Sequence, residues 1–121
     1  MRPTLWLYPV QNIDTALAFF CGVLGLQLKF RDADRYAAIE SGGLRLGLVA
    51  GSERIAEQPL PVFRAESMAP ELQRLLTAGA RIVRPLERGP HEQRVILQST
   101  DGIALMLTAA LDEAAPSGEP T

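Results

Sequence analysis

Apolar and polar residues alternate over short stretches, give way to a helical period, and then alternate again; this succession occurs twice along the chain. Leu5 to Val10 reads as a strand, rich in large apolar and aromatic side chains. Asn12 stands where a helix N-cap belongs, and Asp14 falls in the first turn, where negative charge suits the helix dipole. Ile13, Leu17, Phe20 and Leu24 recur on one helical face, widened by Phe19 and Val23, and the pattern predicts a helix to about Val23 that ends at Gly25. Three strands are expected next: Leu26 to Phe30, Tyr36 to Glu40 and Leu44 to Val49. Ser41-Gly42-Gly43 makes a tight turn between the last two, and Leu44, Leu46 and Leu48 alternate along the third. Gly51 to Gln58 is polar and without period, and reads as a connection.

The second pass repeats the first. Leu60 to Ala65 reads as a strand, with Pro59 and Pro61 marking a strand start or edge. Ser67 can cap a helix that tolerates Pro70 in its first turn, and Met68, Leu72, Leu75 and Leu76 form its apolar stripe. Gly79 ends this helix as Gly25 ends the first. Arg81 to Leu86 reads as a strand, Gly89-Pro90-His91 as a turn, and Arg94 to Ser99 with Ile103 to Thr108 as a hairpin about Asp101-Gly102. Gly25 and Gly79 are 54 positions apart and Gly43 and Gly102 are 59 apart, so a longer loop near 86–92 absorbs the difference. The chain is thus β-α-β-β-β twice, an internal repeat of about 50 residues. Module one covers 4–50, a linker 51–58 and module two 59–109, together one domain over 1–110. Residues 111–121 are acidic and rich in Pro and Ala, and read as a disordered tail.

Composition narrows the function classes. A chain of 121 residues with 47% hydrophobic and 21% charged residues builds one domain with an ordinary core. A net charge of −2 gives no reason to expect nucleic acid or an anionic membrane as partner. No apolar run approaches the roughly 20 residues of a transmembrane helix, and no cleavable leader pattern is present, so a cytoplasmic setting is expected. The single cysteine, Cys21, excludes an internal disulfide and falls on the first helix, where a small core residue is the simplest account.

The order of these elements carries a family resemblance. Val10-Gln11-Asn12-Ile13, then Ala16, Phe19-Phe20 and Leu24-Gly25-Leu26, is similar to the opening of the glyoxalase/bleomycin-resistance/extradiol-dioxygenase (vicinal oxygen chelate) superfamily. Leu75-Leu76-Thr77-Ala78-Gly79-Ala80 resembles its second helix and turn, and Ser99-Thr100-Asp101-Gly102 its closing turn, with two of four residues different. The resemblance spans about 4–109. It implies an α+β fold in which two βαβββ modules form a curved mixed sheet, a cup, with helices on the outer face. Strand alternation then assigns sides. Trp6, Tyr8 and Val10 read as packed toward the helix, as do Ile103, Leu105 and Leu107. Leu5, Leu7 and Pro9, Arg45 and Gly47, Val62 and Arg64, Arg94, Ile96 and Gln98, and Ala104, Met106 and Thr108 face the cup.

Metal-dependent members of that family use His and Glu ligands, and the resemblance places those positions at Leu5, Leu60 and Met106. Two of these are hydrocarbons and the third a single soft thioether, so no metal site is expected, and no cofactor. The only histidine, His91, reads as a surface turn residue. No metalloprotease pair, CxxC pair, nucleophile elbow or phosphate loop occurs, so no catalytic residue is assigned.

Two readings of function follow. In the first, the chain is a non-catalytic small-molecule binder that sequesters a drug or metabolite, as bleomycin-resistance proteins do, and pairs as a homodimer. Its ligand-binding residues are Leu5, Leu7, Arg45, Leu60, Val62, Arg64, Arg94, Ile96, Gln98 and Met106. Arg45, Arg64 and Arg94 supply three cations with no acid assigned to the same face, which fits an anionic or carbonyl-rich ligand, and Arg94 is the foremost contact. In the second, the chain is a lyase, isomerase or dioxygenase-like enzyme with a site the motifs do not reveal, for which Glu40 or Glu92 could serve as base. A structural dimer that binds no small molecule is a third.

Overall fold

The computed structural model describes residues 1–111. Among these the fold is α+β, and the strands and helices alternate as the hydrophobic pattern requires. Two compact units divide the chain, Thr4–Pro61 and a second that runs on from Val62 and includes Met1–Pro3. The expected tail lies outside the described residues except for Leu111.

The first unit holds β1 (Arg2–Pro9, from Thr4 onward), α1 (Ile13–Leu17), β2 (Gln27–Asp32), β3 (Tyr36–Ser41) and β4 (Leu44–Val49). Its sheet has the order β2-β3-β4-β1, antiparallel throughout except that β1 runs parallel to β4. A parallel partner demands a crossover, and the helix supplies it. Asn12 caps that helix as expected, its Oδ1 accepting from the Thr15 N–H at 2.9 Å. Ile13, Ala37, Ile39, Leu46 and Leu48 form the buried core between helix and sheet, with Tyr8, Val10, Phe20 and Cys21 packed against it.

The first helix departs from expectation in its second half. Ala18–Val23 is π-helical, and the Leu24 N–H reaches back five residues to the Phe19 carbonyl at 3.0 Å. The wider turn breaks the 3.6-residue period on which the apolar stripe was drawn. Phe20 still reaches the sheet and meets Tyr8 edge-on at 5.6 Å, whereas Phe19, Val23 and Leu24 are turned to the surface. Trp6 is likewise not a core residue but 47% exposed. The helical residues that reach the sheet are Ile13, Ala16, Leu17 and Phe20, and the strand β1 meets that set through Tyr8 and Val10.

The second unit repeats the arrangement with β5 (Leu60–Ala65, from Val62 onward), α2 (Met68–Thr77), β6 (Arg81–Arg88), β7 (Glu92–Gln98) and β8 (Ala104–Ala110). Its strand order is β5-β8-β7-β6, with β5 parallel to β8. Met68, Val95, Leu97, Leu107 and Ala109 are buried against α2, which contributes Leu72, Leu75 and Leu76 as the stripe predicts. Ser67 adopts the extended backbone of an N-cap, although its side chain makes no capping bond. Ile103 was expected on the helix face; it precedes β8 and is exposed. No helix among the described residues is long and apolar enough to cross a membrane.

Candidate functional site

Register shows how the first unit presents its open face, the one away from α1. Leu7 pairs with Gly47, Gly47 with Ala38 and Ala38 with Phe30, so one row across the sheet has its two smallest side chains at the centre. On one side of this row lies Tyr36, paired with Val49; on the other lies Glu40, paired with Arg45. A groove of about 460 Å³ runs over Ala38 on this face, lined by Leu5 and Tyr36 and by the charged Lys29, Glu40 and Arg45. Tyr36 and Leu5 close over Gly47: a β-carbon at this position would stand 3.0 Å from Tyr36 Oη and 3.3 Å from Leu5 Cδ1.

Lys29 reaches this face through a backbone irregularity. The register of β2 against β3 slips between Leu28 and Phe30, which inserts Lys29 as an extra residue. Its Nζ lies 3.7 Å from Glu40 Oε2, while Arg45 Nε donates to Glu40 Oε1 at 3.3 Å. The groove therefore carries two cations and one carboxylate, a local charge of one positive.

The second unit's equivalent face is built differently. Val62 pairs with Met106 and Met106 with Ile96; Arg64 pairs with Thr108 and Thr108 with Arg94. Val62, Ile96 and Met106 are only 7%, 5% and 3% exposed, and Leu60, at the start of β5, 2%. Arg64 Nη1 donates to Glu92 Oε1 at 2.9 Å. Arg94 Nε and Arg84 Nε both donate to Glu87 Oε1, at 3.2 and 3.1 Å. Partial burial pushes the Glu87 carboxyl up, but the hydrogen bond from Arg84 and the nearby charges of Arg94 and Arg84 outweigh it, and the group is held below its ordinary value. Gln98 is engaged at the sheet end: its Nε2 donates to the Gly102 carbonyl at 3.0 Å, and its Oε1 accepts from Arg81.

The expectation of three cations without facing acids is thus corrected. Glu40, Glu92 and Glu87 answer Arg45, Arg64 and Arg94 in turn. Of the residues singled out from sequence, Leu5 and Arg45 line the groove, and Leu7 belongs to its central row. Leu60, Val62, Ile96 and Met106 are buried, and Arg64, Arg94 and Gln98 are held in bonds of the second unit. Sequence reasoning missed Lys29 and Tyr36 as groove formers. The Glu40–Arg45 pair was readable, because a two-residue turn at Gly42-Gly43 sets positions 40 and 45 opposite each other. The Glu87–Arg94 pair was not, since β6 shifts register twice against β7, between Ile82 and Arg84 and between Arg84 and Glu87.

A family model described as the Glyoxalase/Bleomycin resistance protein/Dioxygenase superfamily matches residues 5–107. The chain belongs to this superfamily. An uncharacterized protein of Mycolicibacterium smegmatis is 28% identical over 109 residues, covering 84% of this chain and 87% of the relative. Among solved structures, one described as an NAD-dependent benzaldehyde dehydrogenase from Legionella pneumophila superposes with a TM-score of 0.73 at 23% identity, covering 88% of this chain and 98% of that one. A hypothetical protein from Bacillus halodurans C-125 gives 0.70 at 16% identity, with 92% and 95% covered. Methylmalonyl-CoA epimerase from Mycobacterium tuberculosis gives 0.64 at 16% identity, with 96% and 92% covered. At these identities the structures share the fold with this chain.

The superfamily's metal-dependent branch sets the test for a metal centre. The three positions that the family resemblance assigns to its ligands carry Leu5, Leu60 and Met106. A divalent cation needs several nitrogen, oxygen or thiolate donors, and these side chains offer one thioether among them. Among the described residues, no group of three or more His, Cys, Asp or Glu is placed to hold a metal ion. The residues present do not fit the group.

Proposed function

We propose that this superfamily member is a small-molecule-binding protein that holds its ligand without transforming it. One observation carries the reading: the open face of the first unit is a groove of about 460 Å³ with an apolar floor and a few charged groups at its rim. That mixture, apolar walls with a small number of polar groups that fix orientation, is the ordinary form of a ligand site. Leu5, Leu7 and Arg45 are its first-unit contacts. Val62, Arg64, Arg94, Ile96, Gln98 and Met106 serve as the framework of the second unit, where Arg94 pairs with Glu87, and Leu60 opens the strand β5 that leads into it. Cytoplasmic sequestration of a drug or metabolite is the biological role that goes with it.

The protein acts as a homodimer in this reading. β2 and β6 close the two strand orders and carry exposed Leu28, Ile82 and Val83, apolar edges of the kind that pairing of copies covers. A monomer mass in light scattering at micromolar concentration would overturn it.

An enzymatic reading has one observation in its favour, the Glu40 carboxylate in the groove. Both of its oxygens already face cations, Arg45 on Oε1 and Lys29 on Oε2, which suits a structural acid better than a proton acceptor. The deciding experiment is a thermal-shift screen against antibiotics and metabolites in the presence of EDTA, followed by mass analysis of each hit. A binder gains about 2.7 kcal/mol of stability at a ligand concentration 100 times its Kd, and returns the ligand unaltered. Conversion of a hit would establish catalysis instead.

A further inference from the structure

We infer that the first-unit groove takes a small planar monocarboxylate, its carboxylate between Lys29 and Arg45 and its ring over Ala38, between Leu5 and Tyr36. The inference rests on the binding reading above and names its ligand class. Three observations carry it. The charges within the groove sum to one positive, because Glu40 offsets one of the two cations, and one anionic group balances that remainder. Arg45 spends only its Nε on Glu40, so its two Nη groups still present N–H donors in the geometry that a carboxylate accepts. The Lys29 ammonium, 3.7 Å from Glu40, is too distant for a full hydrogen bond and is 49% exposed at its side chain, so it can turn toward a second acceptor.

Shape supplies the third observation. Ala38 floors the groove with a methyl, Leu5 and the Tyr36 ring stand beside it over the buried Gly47, and that ring lies 6.3 Å from Phe30. A flat body fits such a slot, and its faces meet apolar and aromatic surface. A bulky tetrahedral body would meet Tyr36 and Leu5, whose side chains stand beside Ala38 in the groove lining. The second unit offers the same net charge in Arg84, Glu87 and Arg94, but its neighbouring row is filled by Val62, Met106 and Ile96, all buried. Charge without open apolar surface beside it makes a weaker site.

The test is a two-dimensional amide NMR titration of the full chain with benzoate, with benzyl alcohol as the neutral counterpart and phthalate as the dianion. Saturable shifts are expected at Lys29, Tyr36, Ala38 and Arg45, with benzoate at least tenfold tighter than benzyl alcohol. Arg45→Ala should weaken benzoate about ten- to a hundredfold, the range of a charge-assisted hydrogen bond. Glu40→Gln leaves both cations unopposed and should tighten benzoate and, more so, phthalate. The same spectra show that each variant is folded. The inference is overturned by shifts confined to other residues, by no saturation, by equal affinity for benzyl alcohol, or by weaker benzoate binding in Glu40→Gln. If benzoate fails while another compound produces a saturable thermal shift, the ligand class is wrong and the binding reading stands. If no compound in the screen produces one, the binding reading falls as well.

Discussion

The two glycines that end the helices make a controlled pair for measuring how the repeat is held. Gly25 has φ +85° and open space where a side chain would go. Gly79 has φ +104°, and a β-carbon there would lie 2.8 Å from Thr100 Cγ2, closer than real β-carbons approach. Alanine at 25 therefore meets only the backbone penalty of the left-handed region, about 1–2 kcal/mol. Alanine at 79 meets that penalty and also a collision. Relief requires Thr100 to leave its rotamer, about 0.5–1.5 kcal/mol, or the backbone to shift, so the total comes to about 2–4 kcal/mol. Domains of this kind hold about 5–15 kcal/mol, so both variants should still fold. Urea titration of Gly25→Ala, Gly79→Ala, Thr100→Ser and Gly79→Ala/Thr100→Ser separates the two contributions. Thr100 is exposed, and serine lacks Cγ2, so Thr100→Ser alone should stay within about 0.5 kcal/mol of the parent. In the Gly79→Ala background it should recover about 1 kcal/mol. Equal costs for the two alanines, or no recovery in the double variant, would show that the 2.8 Å approach does not govern this turn.

Acid should weaken the second unit before the first. The folded Glu87 carboxyl is held below its ordinary value, so its contribution is present above about pH 4.3 and is lost as pH falls through the lower folded value. At 37% side-chain exposure the pair is worth about 0–1 kcal/mol, and Arg94→Ala should flatten this acid limb of the stability profile without unfolding the chain. Divalent metals should leave the melting temperature unmoved: zinc, nickel, manganese and EDTA are expected to give the same value, and a saturable shift with one ion would place donors that Leu5, Leu60 and Met106 do not provide.

The fold was legible because its signals are local and redundant. Alternation, capping residues and turn glycines each mark the same boundaries, and Leu44–Val49 and Leu60–Ala65 fall where the pattern put them. The errors arose where backbone geometry leaves its regular period. The π-helical turn moved Phe19, Val23 and Leu24 to the surface, and the slip in β2 brought Lys29 to the groove. Neither has a composition signature, since both come from a single extra residue accommodated in an otherwise regular element. Glu87 was hidden for the same reason, whereas Glu40 follows from the length of one turn and Glu92 from plain alternation, two residues before Arg94 on a regular strand.

The repeat itself explains why one half and not the other is open. Gly47 and Met106 stand four residues after the hairpin glycines Gly43 and Gly102, so they are counterparts. Each lies at the centre of its row: Leu7–Gly47–Ala38 in the first unit, Val62–Met106–Ile96 in the second. The backbone pairing is the same in both, and only side-chain volume differs. Met and Ile fill the row and are buried; in the first unit Tyr36 and Leu5 close over Gly47, and the groove lies beside them over Ala38. The charged flank diverges in the same sense. Arg45 faces a carboxylate through one N–H and stays largely exposed, whereas Glu87 receives hydrogen bonds from two arginines at once. Two copies of one architecture thus differ in how open that face is, and they differ at positions the hydrogen-bonded frame does not constrain.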